Sequence, residues 1–129
     1  MMQYENNAYF WQKVETLVHS NRFVLARKKG DTHPEYSNLI YPTSYGHLQE
    51  TTSTSSTEGV CVYKGTKGSQ ITGIVIAADI LKKDLDAKIL IGCTEEEVDQ
   101  VLRFLNQTDF QKTVLIRKGN DIPSWGITD

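Results

Sequence analysis

The chain has 129 residues, of which 39% are hydrophobic and 23% are charged, and its formal net charge is −2. This length and ordinary composition predict a single globular domain with its own core, and the small net charge excludes a strongly basic nucleic-acid-binding protein. The longest apolar runs, such as residues 74–78, are too short to cross a membrane, and the two cysteines, Cys61 and Cys93, provide no disulfide framework.

We expect the protein in the cytoplasm, because the first five residues lack the basic and apolar regions of a signal peptide.

The first predicted element is a helix from about residue 6 to 19. Apolar side chains then recur at helical spacing, which predicts a helix that covers one side of the core or binds a partner. These side chains belong to Tyr9, Phe10, Val14, Leu17 and Val18.

A short predicted strand at residues 23–26 runs into a basic segment. Arg27, Lys28 and Lys29 are adjacent cations beside Gly30. Arginine and lysine side chains donate charge-assisted hydrogen bonds to phosphate oxygens. The segment is therefore either a phosphate contact or a solvated, charged loop.

Residues 41–63 predict a strand end, a tight turn, a long loop and a second strand. Pro42 restricts Tyr41 to extended geometry, and Gly46 permits backbone angles that other residues avoid. Residues 51–57 are seven consecutive serines and threonines. Their hydroxyls either bond to nearby backbone in a mobile loop or bind phosphate oxygens. Residues 60–63 have strong β character.

The histidines and a glycine-containing turn match no signature for metal or nucleotide binding. His19, His33 and His47 lack the spacing of metal ligands. In residues 64–69, Lys67 precedes Gly68, which is the wrong order for a P-loop. We therefore expect a hairpin-type turn there.

Residues 70–92 predict a β-hairpin. Two apolar runs, at residues 70–81 and 87–92, flank a charged turn at residues 82–86. The first run shows little alternation, which indicates burial on both faces of a sheet or a bend at Gly73.

A second helix is predicted from about residue 95 to 106. Thr94 and Glu97 form a capping box. The glutamates at residues 95–97 are better explained by their favourable interaction with the positive end of the helix dipole than by a metal-binding cluster. A last strand follows at about residues 112–117. We expect the tail, residues 118–129, to be partly ordered if the Trp125 side chain docks on the domain.

Four segments resemble the soluble (family I) inorganic pyrophosphatases, especially their small bacterial members. The segments are Arg27-Lys28-Lys29-Gly30, Tyr41-Pro42-Thr43-Ser44-Tyr45-Gly46 with the threonine-rich loop, Asp86-Ala87-Lys88, and residues 89–97. The resemblance spans roughly residues 6–117. It implies a mainly β, α+β fold in one domain of residues 1–129, with a small closed OB-type β-barrel at about residues 22–92 between two flanking helices.

The resemblance also implies a metal-dependent site for pyrophosphate or a similar small anion. Members of this family hydrolyse pyrophosphate with Mg²⁺ ions held by carboxylates. The implied phosphate-binding residues are Tyr45, Lys88, Arg27 and Lys29. The implied catalytic residues are Glu58 and Asp86, and the implied metal ligands are Glu58, Asp86, Asp79 and Asp84. The sequence leaves a homo-oligomer open and predicts neither a nucleic-acid nor a membrane partner.

Several positions depart from the family pattern. Ala26, Ser56, Cys61 and Leu81 stand where the family has carboxylates. Neither a neutral hydroxyl nor a soft thiol replaces an anionic oxygen ligand of Mg²⁺. Two hypotheses follow: a pyrophosphatase-like enzyme of weak or no activity, or a non-catalytic domain that binds a phosphate ligand or another protein. Cys61 is either a reactive thiol or an inert core residue of its strand.

Overall fold

The computed structural model describes residues 6–53 and 56–119, which contain two helices and six strands. Both predicted helices are present, and strands lie at the predicted β-rich runs. In chain order the elements are α1 (Ala8–His19), β1 (Phe23–Arg27), β2 (Ser44–Leu48), β3 (Val60–Lys64), β4 (Ile71–Asp79), β5 (Asp84–Ile91), α2 (Glu95–Leu105) and β6 (Gln111–Arg117).

The strands form one mixed sheet in the order β1-β2-β3-β5-β4-β6. Neighbouring strands are antiparallel except β3 and β5, which run parallel with Cys61 opposite Lys88. The predicted hairpin of β4 and β5 is confirmed. The hairpin-type turn predicted at residues 64–69 is wrong, because β5 lies between β3 and β4 and this segment carries the chain past it.

The central strands face two hydrophobic cores, one on each side of the sheet. Tyr63 and Val75 pack with buried residues of α2, in a cluster here called the α2 core. Their neighbours in sequence, Val62 and Ile74, pack with buried residues of α1, in the α1 core. Successive strand residues point to opposite faces, so a strand between two cores must be apolar at every position. This explains the weak alternation of β4.

The sheet is not closed into a barrel. In the part of the chain that the structure describes, β1 pairs only with β2 and β6 only with β4, so both are edge strands. A small closed barrel has a single interior, whereas this chain buries apolar side chains on both faces of its sheet. The predicted mainly β, α+β fold with two helices is confirmed, and the OB-type closed barrel is not.

Gly46 lies inside β2 rather than in the predicted tight turn. A Cβ atom at this position would collide with the carbonyl oxygen of Val24 in the edge strand β1. The missing side chain therefore permits a close approach of two strands, which is a common reason for a glycine within a strand.

Both helices begin at side-chain caps. The Asn7 side chain accepts hydrogen bonds from the backbone N–H groups of Tyr9 and Phe10 at the start of α1. The predicted capping box of α2 is confirmed, with Thr94 and Glu97 each bonding to the backbone N–H of the other. Each cap satisfies donors that a helix start otherwise leaves without partners.

None of the helices in residues 6–53 and 56–119 is long and apolar enough to cross a membrane. Trp125, whose docking would order the tail, lies outside the described residues.

Candidate functional site

The candidate site is a cleft on the α2 side of the sheet, beside the α2 core. Leu90 of β5 belongs to that core. Lys88, Asp86 and Asp84 occupy the alternate positions of the same strand and therefore share its face. Along one strand the face changes from apolar to ionic, and the cleft lies at the ionic end.

The polar half of this cleft has a volume of about 100 Å³. Strands β2, β3 and β5 and the turn before β5 contribute to its walls. The lining includes Tyr45, Ser56, Cys61, Lys82, Asp84, Asp86 and Lys88.

A buried ion pair stands at the base of the polar half. The Lys88 ammonium lies 3.2 Å from Asp86 Oδ2, and these side chains are only 14% and 5% exposed. The Ser53 hydroxyl donates to Asp86 Oδ1 at 2.9 Å. A charge removed from water needs such partners, because an unpaired one is costly. Both carboxylate oxygens of Asp86 are therefore engaged, one of them by a cation.

Tyr45 adds a neutral hydroxyl beside this pair. Its hydroxyl donates to Cys61 Sγ at 3.3 Å. Burial, followed by the neighbouring Cys61 thiol, raises the pKa of Tyr45 far above its ordinary value. The phenol therefore keeps its proton at neutral pH and remains a hydrogen-bond donor.

His33 lies farther along the cleft and is neutral at neutral pH. Its Nδ1 accepts the backbone N–H groups of Glu35 and Tyr36 at 3.1 and 3.3 Å, so the ring proton belongs on Nε2. Burial lowers the pKa of His33, and the charges of Lys82 and Arg27 lower it further against the opposing effect of Glu35.

The structure brings together two of the four predicted phosphate-binding residues. Tyr45 and Lys88 line the polar half. Arg27 lies opposite Tyr45 in the pairing of β1 and β2 but is not among the residues that line the cleft. Lys29 is exposed in the turn after β1 and is not among the residues that line the cleft.

Three of the four predicted metal ligands, Asp79, Asp84 and Asp86, line the cleft, and Glu58 does not. Asp84 and Asp86 line the polar half. Asp79 uses Oδ1 to accept the backbone N–H groups of the β4–β5 turn, at Leu81 and Lys82. In the described residues, no three histidine, cysteine or acidic side chains form a group that could hold a metal ion.

Glu58 lies apart from these carboxylates. Its carboxylate is 3.5 Å from Nδ1 of His47, and its side chain is 72% exposed. Glu58 is not among the residues that line the cleft, so its role as a catalytic partner of Asp86 stays a prediction from the resemblance. Since Asp86 already accepts from an ammonium group, the donor set does not fit a Mg²⁺ centre, which requires several convergent oxygen ligands.

In the polar half of the cleft, sequence reasoning missed two polar residues, Lys82 and Gln111. Lys82 belongs to the charged turn between β4 and β5, and Gln111 opens β6 opposite Asp79. The signal for Lys82 was present, because a hairpin turn carries its residues to the strand end from which Asp84 and Asp86 start. Gln111 offered no signal, since only the pairing of β6 with β4 brings it to the cleft.

No protein-family model, curated protein or solved structure matches this chain. The resemblance to the family I pyrophosphatases therefore rests on the four sequence segments alone and stays a prediction.

Proposed function

We propose that this chain is a pyrophosphatase-like domain that binds pyrophosphate or another small phosphate-like anion, with weak or no hydrolysis. The observation that carries the proposal is that the ammonium groups of Lys82 and Lys88 line one cleft, beside the phenol of Tyr45, whose single O–H is donated to Cys61 Sγ. Ammonium groups held in a partly buried cleft favour an anionic ligand.

Lys82 is the cation best suited to meet the ligand. Among the described residues it forms no salt bridge, whereas Lys88 is paired with Asp86. Asp79 and Asp86 already accept hydrogen bonds from the protein. Their charges are thus partly compensated, which reduces their repulsion of a phosphate group. Asp84 also lines the polar half, and its carboxylate opposes an anion there, so Lys82 and Lys88 must outweigh it.

Hydrolysis is proposed to be weak because the family's reaction depends on several carboxylate-held metal ions. Ala26, Ser56 and Cys61 supply no anionic oxygen, and Glu58 is turned toward His47. The competing candidate, a divergent Mg²⁺-dependent diphosphatase, is favoured by one observation. Asp84 and Asp86 do line the same half of the cleft.

Calorimetry at low salt tests the binding proposal. Pyrophosphate should bind to the full chain, and Lys82→Gln should weaken binding about fivefold or more, equivalent to about 1 kcal/mol for a charge-assisted hydrogen bond. The control is Lys13→Gln, which removes an exposed charge on α1 and should change nothing. Absence of binding by pyrophosphate and phosphate would refute the proposal.

A phosphate-release assay tests the second part. Pyrophosphate is supplied with Mg²⁺, Mn²⁺ or Zn²⁺ in separate reactions, and release should stay close to the protein-free rate. A turnover above about 1 per second, at the lower end of ordinary enzymes, would favour the diphosphatase instead.

A cytoplasmic location and a homo-oligomeric state remain expectations from the sequence.

A further inference from the structure

The cleft continues from its polar half into an aromatic half. The linings of the two halves share Tyr45, Lys82, Lys88 and Gln111, so the halves are directly adjacent. The aromatic half has a volume of about 130 Å³. Its ring-bearing walls are His33, Tyr36, Tyr41, Tyr63, Phe104 and Phe110.

Packing of the core accounts for only part of this aromatic wall. Tyr41, Tyr63 and Phe104 are buried members of the α2 core. Tyr36 and Phe110 are not members of it, and Tyr36 is 38% exposed. Their ring centroids lie 6.3 Å apart, and both rings line the cleft. Two aromatic side chains therefore line the cleft without belonging to the α2 core.

Inorganic pyrophosphate has no surface that such rings would contact. An aromatic group of a ligand would stack on them, and stacking is favourable for any flat ring because every ring presents a π-face. Building on the proposed function, we infer that the ligand carries an aromatic ring joined to its phosphate. The ring occupies the aromatic half, and the phosphate meets Lys82 and Lys88 in the polar half.

The volume of the aromatic half limits the size of that ring. A cavity of about 150 Å³ holds one benzene molecule in a protein interior, and this half measures about 130 Å³. A single six-membered ring is close to this volume, whereas a fused purine would extend beyond this half of the cleft. The ligand class is therefore a pyrimidine nucleotide or another phosphate ester of a single-ring aromatic compound.

Polar groups at the edge of the aromatic half suit a pyrimidine base better than a bare phenyl ring. The Gln111 amide nitrogen donates to the carbonyl oxygen of Leu105 at 2.7 Å, which leaves its amide oxygen as an acceptor for a base N–H. His33 carries its proton on Nε2, and this N–H is a donor for a base carbonyl. Together they match the donor and acceptor edge of uracil.

Calorimetry with four probes tests the inference on the full chain: uridine diphosphate, adenosine diphosphate, methyl diphosphate and uridine. Uridine diphosphate should bind about tenfold more tightly than methyl diphosphate, which lacks the ring. Adenosine diphosphate should gain less, and uridine without phosphate should bind at least tenfold more weakly. Equal affinity for uridine diphosphate and methyl diphosphate would overturn the inference and leave the proposed function intact.

Other outcomes are equally decisive. No binding of any phosphorylated probe removes the proposed function together with the inference. Tighter binding of adenosine diphosphate than of uridine diphosphate overturns the assignment to a single ring. Affinity for uridine equal to that for its diphosphate shows that the polar half takes no phosphate, which also overturns it.

Two independent variants remove the aromatic flank. Tyr36→Leu and Phe110→Leu should each lower the affinity for uridine diphosphate toward that of methyl diphosphate, while the affinity for methyl diphosphate stays unchanged. Phe10→Leu is the matched control, because Phe10 is a half-exposed ring on α1, outside the cleft. An equal loss for both probes in the two cleft variants would contradict stacking and indicate a general disturbance of the cleft.

Discussion

The Asp86–Lys88 pair links the stability of the domain to its candidate site. Both residues come from one strand and share its face, and the carboxylate is almost completely buried. The resemblance to pyrophosphatases implied a metal for Asp86 and a phosphate for Lys88. In the structure the two side chains form an ion pair with each other. A lysine thus stands beside the carboxylate at the position where a divalent cation was expected.

Breaking this pair should destabilise the protein. Lys88→Gln leaves a buried carboxylate with only part of its partners, and the free energy of unfolding should fall by about 3 kcal/mol. Asp86→Asn with Lys88→Gln should cost less than the sum of the single changes, because the double variant leaves no uncompensated charge. Urea unfolding of the four proteins measures this coupling. A loss for Lys88→Gln no larger than that for Lys13→Gln would contradict it.

At the scale of elements, the start of α2 connects the helix to the sheet. Glu97 completes the capping box and also accepts the backbone N–H of Thr66, in the segment between β3 and β4. The sequence predicted the box from the spacing of Thr94 and Glu97. It did not predict the contact with Thr66, since the two residues are distant in sequence and meet only because β5 returns beside β3.

Glu97 should stabilise the protein in a pH-dependent manner. Burial acts to raise the pKa of Glu97, but hydrogen bonds from Thr94 and Thr66 outweigh it and lower the pKa below 4.5. The unfolded chain therefore takes up a proton first as the pH falls. The stabilisation is fully present above pH 4.5 and is lost as the pH drops through the lowered pKa.

Denaturant unfolding of Glu97→Gln at two pH values measures this contribution. At pH 7 the variant should lose about 2 kcal/mol, typical of hydrogen bonds to a charged acceptor. At pH 3 the difference from the wild type should shrink. Glu96→Gln, at an exposed position of the same turn, is the control. A Glu97→Gln effect that is the same at both pH values would argue against an ionised cap.

At the scale of the whole molecule, the open sheet leaves room for the cleft. α1 covers one face and α2 covers only part of the other, so the ionic end of β5 stays accessible beside the α2 core. The edge strand β6 contributes Gln111 to the lining, and Arg27 of the other edge strand, β1, pairs with Tyr45 of β2. The central strand β4 contributes Ala77 and Asp79.

Ligand binding at this cleft should stabilise the entire domain. A ligand that binds only the folded state adds about 2.7 kcal/mol when present at 100 times its dissociation constant. Pyrophosphate should therefore raise the thermal unfolding temperature by several degrees, and Mg²⁺ alone should leave it nearly unchanged. Scanning calorimetry with each addition measures both. A large increase with Mg²⁺ alone would mean that the protein holds a metal site among residues other than those considered as ligands.

The sequence by itself determined the elements of this protein and little of their arrangement. The amphipathic spacing of α1, the capping box of α2 and the apolar runs of β4 and β5 are set by interactions between residues a few positions apart. Such local patterns can be recognised in the sequence without a structure. The resemblance to pyrophosphatases also pointed to Tyr45 and Lys88, which share the cleft.

Only the tertiary structure decided the open sheet, the parallel pairing of β3 with β5 and the composition of the cleft. Those features depend on which distant strands bury their side chains against each other. β4 has apolar side chains on both faces of the sheet, and this pattern is compatible with several choices of neighbouring strand. Lys82 and Gln111 reach the cleft through the pairing of β4 with β5 and β6. Asp86 pairs with Lys88 because both side chains are buried on the same face of β5, where each compensates the charge of the other.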